Sequence, residues 1–100
     1  MNPTDSTPAA YRFVTYENAV RYEDGNGNVA AEVTFPDMGN NTVDINHTYV
    51  DGALRGQGIA GQLLKRAAEA IEGTGRKARP TCSYAVRWFS THPEWEHLVA

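Results

Sequence analysis

The run Arg55–Ala60 is the feature that most constrains the fold of this 100-residue chain. Alternating apolar and polar residues precede it over 43–49, and apolar residues at helical spacing follow it over 59–72. The alternation predicts a β-strand, and the spacing predicts an amphipathic helix. Gly56 and Gly58 lack a Cβ, which allows unusual backbone angles and a close approach of a ligand to the main chain. Because the start of a helix also offers unpaired N–H groups, the sequence predicts a phosphate or pyrophosphate site at this loop.

The same glycines allow a second interpretation, a dinucleotide-binding loop. Gly56, Gly58 and Gly61 satisfy the pattern G-x-G-x-x-G, which is a weak signal when it stands alone. In that fold the strands are parallel, and an acidic residue about 20 positions beyond the motif binds the ribose. Residues 77–82 hold no carboxylate, and the segments before the loop are typical of antiparallel hairpins. An arginine there would suit a 2′-phosphate, so an NADP-binding domain is kept as the minor alternative.

Four further motifs accompany the loop. They are His47-Thr48-Tyr49-Val50, Pro80-Thr81-Cys82-Ser83-Tyr84-Ala85, Trp88-Phe89 and His92-Pro93. Together with Leu54 to Ala60 they resemble the GCN5-related N-acetyltransferase (GNAT) superfamily, and within it the small YjdJ-type branch. The loop is similar to the acyl-CoA signature of that superfamily, R/Q-x-x-G-x-G/A, if Arg55 or Gln57 opens it. The resemblance extends over roughly residues 18–100.

The resemblance implies a fold and a co-substrate. The expected fold is α/β (α+β), a mostly antiparallel sheet packed against one long helix, with a short helix near the C-terminus. The expected reaction moves an acetyl group from acetyl-CoA to an amine, either a protein lysine or a small amine, without a metal. In this family the loop binds the pyrophosphate of CoA, and the strand before it pairs with the pantetheine arm. The matching residues are Tyr49 and Val50 in the strand and Arg55, Gly56, Gln57, Gly58, Ile59, Ala60 and Gly61 in the loop.

Cys82 is the first candidate for a catalytic residue. The resemblance places it at the end of a strand near the acetyl group, and a position just before a helix favours the thiolate. One interpretation is an acetyl-cysteine intermediate, which divides the transfer into two easier steps. The other is a small buried packing residue, the commonest role of an unpaired cysteine.

His47 is a candidate base, because the ordinary pKa of histidine lies near neutrality. It alternates in phase with Val43, Ile45 and Tyr49, which slightly favours a core histidine with a satisfied hydrogen bond instead.

Tyr84 is a candidate proton donor to the departing CoA thiolate, although an aromatic residue in a short terminal helix more often packs against a sheet. His92 and His97 are expected at the surface or at helix ends. The three histidines show no metal-ligand spacing.

The segment before the glycine loop has room only for short turns, whereas larger members of the family insert helices there to build the acceptor pocket. This difference predicts an open groove and leaves the acceptor unspecified. It also keeps open a non-catalytic module that binds CoA or acyl-CoA.

Composition excludes several other classes. One hundred residues predict one domain, and we expect a disordered leader over 1–10 and the domain over 11–100. A net charge of −3 argues against nucleic acid. Cys82 is the only cysteine, no apolar run approaches a membrane span, and no secretion signal opens the chain. We therefore expect a cytoplasmic protein that binds no membrane, and its oligomeric state is left open.

Local signals predict the individual elements. Short strands are expected before an Asn26-Gly27 hairpin turn, and another over 29–35. The long helix is expected from about Gly58 to Glu72, followed by a short strand near 77–81. Ser83 is the expected N-cap of a helix over 84–90, and Pro93 is expected to open a last turn.

Overall fold

The computed structural model describes residues 10–100, so the leader predicted over residues 1–10 lies outside the described part except for Ala10. Over this range the chain forms seven strands and two α-helices, with 3-10 turns at Gly52–Leu54 and Pro93–Leu98. The elements in chain order are β1 (Arg12–Tyr16), β2 (Ala19–Glu23), β3 (Val29–Thr34), β4 (Asp37–Gly39), β5 (Thr42–Ile45), β6 (His47–Val50), α1 (Ile59–Gly73), β7 (Lys77–Pro80) and α2 (Ser83–Ser90).

The strands form two connected sheets. One has the order β1-β2-β3-β6 and is antiparallel throughout, and the other has the order β4-β5-β7. Among the strand pairs of residues 10–100, that of β5 with β7 is the parallel one, and an isolated parallel bridge joins Ala78 to Val99. The expected mostly antiparallel sheet is therefore confirmed, and this pattern counts against the parallel sheet of a dinucleotide-binding domain.

A long bent hairpin joins the two sheets. Its first arm is β3 and β4, separated near Pro36, and its second arm is β5 and β6, separated at Asn46. Asn40 and Asn41 form the tip, each with a φ of 57°. Positive φ at both central residues is typical of the turn that matches the twist of paired strands, and asparagine adopts it readily. The sequence analysis did not predict a strand at Asp37–Gly39, so β4 is an addition.

The turn between β2 and β3 follows the predicted Asn-Gly signal. The Asp24 carboxylate accepts hydrogen bonds from the main-chain N–H of Asn26 at 2.8 Å and of Asn28 at 3.0 Å, and Gly27 has a φ of 83°. These N–H groups favour the charged carboxylate and lower the pKa of Asp24, the bond from Asn28 most.

Helix α1 covers one face of the sheet. Its fully buried side chains recur three or four residues apart: Leu63, Leu64, Ala67, Ala68 and Ile71. They pack in one core with strand residues such as Val20, Val33 and Phe35. Burying one leucine or isoleucine side chain contributes about 1.5–3 kcal/mol. The contact between this stripe and the sheet is therefore the main source of stability, and the predicted helix over 58–72 is confirmed to within one residue.

Helix α2 begins one residue earlier than expected. The N-cap is Cys82 and not Ser83: Cys82 has extended backbone angles, and its sulfur accepts a hydrogen bond from the main-chain N–H of Ala85 at 3.4 Å. Ser83 is the first helical residue. Trp88 and Phe89 are buried, as expected for the apolar side of this helix.

The last residues return to β7. Pro93 opens a 3-10 turn as predicted, and the main-chain N–H of Ala100 then donates to the carbonyl of Ala78 at 2.8 Å. Across residues 10–100, no helix is both long and apolar enough to cross a membrane.

Candidate functional site

The glycine loop presents the start of α1 without a side-chain cap. Gly58 is the N-cap with a φ of 76°, and Gly56 has a φ of 84°. Glycine adopts these angles without strain, whereas most residues that carry a Cβ do not. No side chain binds the first N–H groups of the helix, and its first turn carries no acidic residue. Both the N–H groups and the positive end of the helix dipole are therefore available to an anion.

A small cavity of about 210 Å³ lies at this loop. Most of the residues expected to bind the cofactor line it, and Tyr84 from α2 closes one side. The full lining is Val50, Leu54, Arg55, Gly56, Gly58, Ile59, Ala60 and Tyr84. Gln57 is exposed, and Gly61 lines the adjoining groove. The loop thus brings together residues that the sequence analysis grouped by motif.

The second arm of the bent hairpin changes its partner at Asn46. Its first half, β5, pairs with β7, whereas its second half, β6, has β3 as its only partner among the strands of residues 10–100. A gap therefore opens between β6 and the end of β7. The main-chain N–H groups of Thr81 and Cys82 both donate to the carbonyl of Ile45, at 3.0 and 3.2 Å, so this carbonyl marks the closed end of the gap.

One edge of β6 faces the gap. The N–H of Asp51 donates to the carbonyl of Ala30 on the opposite edge. Since successive residues of a strand direct their main-chain groups to alternate edges, Thr48 and Val50 direct theirs into the gap. A hydrogen bond from Arg55 agrees with this orientation of Val50, because the Arg55 Nε donates to the Val50 carbonyl at 3.4 Å. Of the two strand residues expected to contact pantetheine, Val50 faces the gap, whereas Tyr49 lies opposite Glu32 of β3.

Cys82 lies at the closed end of this gap. Its sulfur is 3.5 Å from the hydroxyl oxygen of Thr48 and accepts the N–H of Ala85. The side chain is half-buried and is not in a disulfide. Cys82 also packs against the hydrophobic core. The arrangement is therefore compatible both with a nucleophile and with a packing residue.

His47 does not lie where the alternation predicted. Val43 and Ile45 are fully buried in the core, whereas His47 is exposed on the opposite face of the sheet. Asn46 is the reason, because it is an extra residue between β5 and β6 that shifts the alternation by one, as in a β-bulge. The interpretation of His47 as a core histidine is therefore wrong. The structure leaves it accessible on the face opposite Thr48.

Tyr84 lies between two cavities. It lines both the loop cavity and a larger groove of about 570 Å³ between α1 and α2. Its side chain is 40% exposed, which is compatible with a proton donor, and this role of Tyr84 stays a prediction.

The groove between the helices was not found by the sequence analysis. His92 stacks on Trp88 with ring centres 4.1 Å apart, and its Nδ1 lies 2.7 Å from the Trp88 carbonyl oxygen. Trp95 also lines the groove, and Lys65 and Arg87 supply positive charge. Part of this groove could have been predicted from the sequence, because Trp88 and His92 are one helical turn apart. Trp95 could not, because it lies beyond Pro93.

The remaining histidine, His97, pairs with Glu72 at the far end of α1, with Nε2 and Oε2 2.6 Å apart. No group of three side chains suited to a metal ion occurs within residues 10–100.

A glycine loop at a helix start, beside a strand that leaves its neighbour, defines an acetyltransferase-type fold. A sequence model of GCN5-related N-acetyl-transferases matches residues 13–98. The chain therefore belongs to the GCN5-related N-acetyltransferase family, as the resemblance implied. The YjdJ-type branch stays a prediction, and the NADP alternative has no support from this assignment.

Two solved structures show the same fold. A GCN5-like N-acetyltransferase of Staphylococcus aureus, determined by NMR, is 28% identical with a TM-score of 0.72, and the match covers 89% of this chain and 87% of that one. An N-acetyltransferase of Escherichia coli, YhbS, was solved in complex with CoA. It has a TM-score of 0.60 at 14% identity, covering 95% of this chain and 71% of that one, so it supports the fold alone.

The similar curated proteins are vertebrate. Protein NATD1 of Xenopus tropicalis is 38% identical over 61 residues, which make up 61% of this chain and 56% of that protein. Protein NATD1 of Homo sapiens is 36% identical over 61 residues, 61% of this chain and 54% of that protein. The chain thus spans about half the length of the curated relatives it matches.

Proposed function

We propose that this protein binds acetyl-CoA and transfers its acetyl group to an amine. One observation carries the proposal: the uncapped start of α1 adjoins a gap between two strands, and a half-buried cysteine lies at the closed end of that gap. An anion site next to a slot with unpaired main-chain groups suits a long ligand that carries phosphates at one end and an extended amide chain at the other.

The cofactor would occupy three successive places. The pyrophosphate accepts hydrogen bonds from the first N–H groups of α1, beside Gly56 and Gly58. The pantetheine amides pair with the edge of β6 at Thr48 and Val50, as an added strand does. The adenosine and its phosphate fit the groove between the helices, which is lined by aromatic rings and by Lys65. This route ends with the thioester near Cys82.

Transfer through Cys82 has two steps. The thiolate first attacks the thioester carbonyl, the new sulfur–carbon bond forms, and the bond to the CoA sulfur breaks. Tyr84 gives a proton to the departing CoA thiolate. A neutral amine then attacks the acetyl-cysteine, the nitrogen–carbon bond forms and the Cys82 thiolate leaves. The amine proton passes to His47.

Direct transfer is the alternative for the same site. The amine nitrogen attacks the thioester carbonyl, the nitrogen–carbon bond forms, and the bond to the CoA sulfur breaks. His47 takes the amine proton, Tyr84 gives a proton to the departing CoA thiolate, and Cys82 serves only to cap α2. Main-chain groups and proximity then supply most of the rate gain. A module that binds acetyl-CoA without catalysis is the other candidate, and the open acceptor side favours it. A cytoplasmic location and a single domain over residues 11–100 remain predictions from the sequence.

A titration of the full chain tests the cofactor. Thermal stability is followed with acetyl-CoA, CoA and NADPH, since a ligand that binds only the folded state raises Tm by mass action. We expect both CoA compounds to raise Tm and NADPH to leave it unchanged. No change with acetyl-CoA at a concentration of about 1 mM, which corresponds to a binding free energy weaker than about −4 kcal/mol, would refute the proposal.

Mass spectrometry and CoA release then separate the routes. An acetyl adduct in the wild-type protein that is absent from Cys82→Ala supports the two-step route. CoA release with amines but no adduct, and unchanged release by Cys82→Ala, supports direct transfer. Binding without CoA release in the presence of any amine supports the non-catalytic module.

A further inference from the structure

The groove of about 570 Å³ between α1 and α2 adjoins the start of α1. Gly58, the N-cap of this helix, lines both the groove and the loop cavity, and so does Tyr84. Lys65 lines the groove further along α1, and at a rise of about 1.5 Å per residue it lies about 10 Å from Gly58. A ligand with phosphates at the helix start therefore has room in the groove for a further ring system.

His92 is held in a defined position at the wall of this groove. Its ring stacks on Trp88, with ring centres 4.1 Å apart and ring planes inclined by 14°. Trp88 is itself held edge-on against Phe89, with ring centres 5.0 Å apart. Because Trp88 is only 6% exposed, the half-buried His92 ring forms the accessible surface at this point. The imidazole is therefore positioned before a ligand binds.

The hydrogen bonds of His92 also determine which ring nitrogen carries the proton. Nδ1 lies 2.7 Å from the carbonyl oxygen of Trp88, and a carbonyl oxygen only accepts, so Nδ1 is the donor. The Thr91 hydroxyl oxygen lies 3.1 Å from the same nitrogen. In the neutral ring Nε2 then has no proton and is an acceptor. Within residues 10–100, no hydrogen bond uses Nε2 of His92.

The groove combines this acceptor with aromatic surface and positive charge. Trp95, which is half-buried, lines the groove next to His92. Lys65 and Arg87 outnumber the one carboxylate in the lining, that of Glu94, and neither cation forms an ion pair within residues 10–100. Aromatic side chains bind planar rings by stacking. The complementary ligand is therefore an anion that carries a planar ring with a donor group for Nε2.

We propose that His92 recognises the adenine base of an adenosine diphosphate group: the 6-amino group of adenine donates to Nε2, and the diphosphate lies at the start of α1. Adenine presents a donor at this position, whereas hypoxanthine has an oxygen there, which would face the Nε2 lone pair. This inference rests on the proposed binding of acetyl-CoA. Two sources share the required chemistry, the nucleotide half of CoA and free ADP.

Calorimetry with a matched pair of ligands tests the inference. The pair is CoA and its deaminated analogue, which differ in the group at position 6 of the base. At pH 8, above the ordinary titration range of imidazole, we expect the full chain to bind the analogue about ten-fold more weakly, the effect of losing one hydrogen bond. His92→Phe keeps a ring that can stack on Trp88 but has no nitrogen, and it should bind both ligands with equal Kd. His97→Phe removes the histidine at the far end of α1 and is the matched control, which should keep the ten-fold ratio.

Two results would overturn the inference. They are equal Kd values of the two ligands for the wild type, and a ten-fold ratio that persists in His92→Phe. The ratio compares two ligands on one variant, so a modest loss of stability does not affect it. If His92→Phe does not fold, NMR of the imidazole nitrogens in the wild type decides: the Nε2 signal should shift with CoA and not with the analogue, and equal shifts contradict the inference.

Free ADP separates this inference from the proposed function. If no CoA compound binds, the proposed function fails, and the groove is tested alone by NMR titration with ADP and inosine diphosphate. A shift of the Trp95 indole N–H signal with ADP and none with inosine diphosphate then supports the inference, and equal or absent shifts overturn it. If CoA does bind, a lower Kd for CoA than for ADP identifies the coenzyme as the source of the base. Equal Kd values identify free ADP as a competitor of acetyl-CoA.

Discussion

The two faces of the β1-β2-β3-β6 sheet are built in different ways from alternate residues of the same strands. The face under α1 carries Val20, Val33 and other fully buried apolar side chains. The opposite face carries polar pairs, Tyr16 with the buried Glu23 and Arg21 with Glu32. Burying apolar side chains contributes far more to folding than a largely exposed pair such as Arg21 with Glu32 does. The free energy of folding therefore depends mainly on the covered face. Side chains on the open face can be used for ligand recognition with little loss of stability.

The proposed two-step route would divide the reaction between the faces. The glycine loop and Cys82 are expected to bind the cofactor and accept the acetyl group, and Thr48, which contacts Cys82, is half-buried on the covered face. His47 lies exposed on the opposite face, where it would accept the proton of the amine.

Substitutions at Cys82 and His47 give the largest expected effect. Cys82→Ala should abolish the acetyl adduct. His47→Gln should leave adduct formation unchanged but slow its transfer to an amine by about 10²- to 10⁴-fold, the usual contribution of a general base. Single-turnover measurements with labelled acetyl-CoA separate the two steps. If His47→Gln slowed adduct formation and transfer to the amine equally, the proposed division of the two steps between the faces would be wrong.

Truncating the core should have the next largest effect. Leu64→Ala removes a fully buried side chain of α1 and should lower the free energy of unfolding by about 2–5 kcal/mol. Tyr49→Ala on the open face should change it by less than about 0.5 kcal/mol. Urea unfolding measures both values. A large loss for Tyr49→Ala would show that the open face also stabilises the fold.

Gly61→Ala should separate cofactor binding from folding. Gly61 lies within α1 at an ordinary helical φ, and a Cβ built there meets no atom within 4 Å. Alanine should thus stabilise the helix by about 0.5–1 kcal/mol. It should also weaken CoA binding about ten-fold, because the new methyl group projects into the groove. Denaturant unfolding and calorimetry measure the two effects. Unchanged affinity would place the cofactor further from the helix start.

The smallest effect concerns pH and the open face. The hydrogen bond to Glu23 raises the pKa of Tyr16 above its ordinary value of 10.0. A raised pKa means that the folded state keeps its proton while the unfolded state loses it, so this stabilisation is complete below pH 10 and decreases as pH rises through the folded-state pKa. Tyr16→Phe should therefore show a smaller decrease in stability from pH 9 to above pH 10 than the wild type. Tyr49→Phe is the control and should behave like the wild type.

Much of the fold could be predicted because its signals are local. The glycine loop, the periodicity of α1 and the Asn26-Gly27 turn each act within a few residues, and the structure has all three. The extra residue Asn46 could not be recognised from the sequence. A polar residue between Ile45 and His47 is also what a regular strand with alternating apolar and polar residues would contain. The extra residue reversed the predicted face of His47. Only the pairing with Thr34 and the partner change of the strand reveal it, and both depend on distant segments.

The candidate site was predictable in its loop but not in its surroundings. Of the expected loop residues 55–60, all but Gln57 line one cavity. The groove of Trp88 and Trp95 joins two helical segments across Pro93. This juxtaposition does not follow from spacing along the chain, because it arises from packing between elements.

The partner change at Asn46 leaves Thr48 and Val50 with main-chain groups that no strand of residues 10–100 satisfies. If pantetheine binds there, a small molecule completes the hydrogen-bonded ladder that the protein leaves unfinished. Solvent would exchange these two amide protons quickly in the free protein and slowly in the complex. The hydrogen bonding of the sheet would then be complete only while the ligand is bound. The ligand would act as a strand that associates and dissociates in each catalytic cycle.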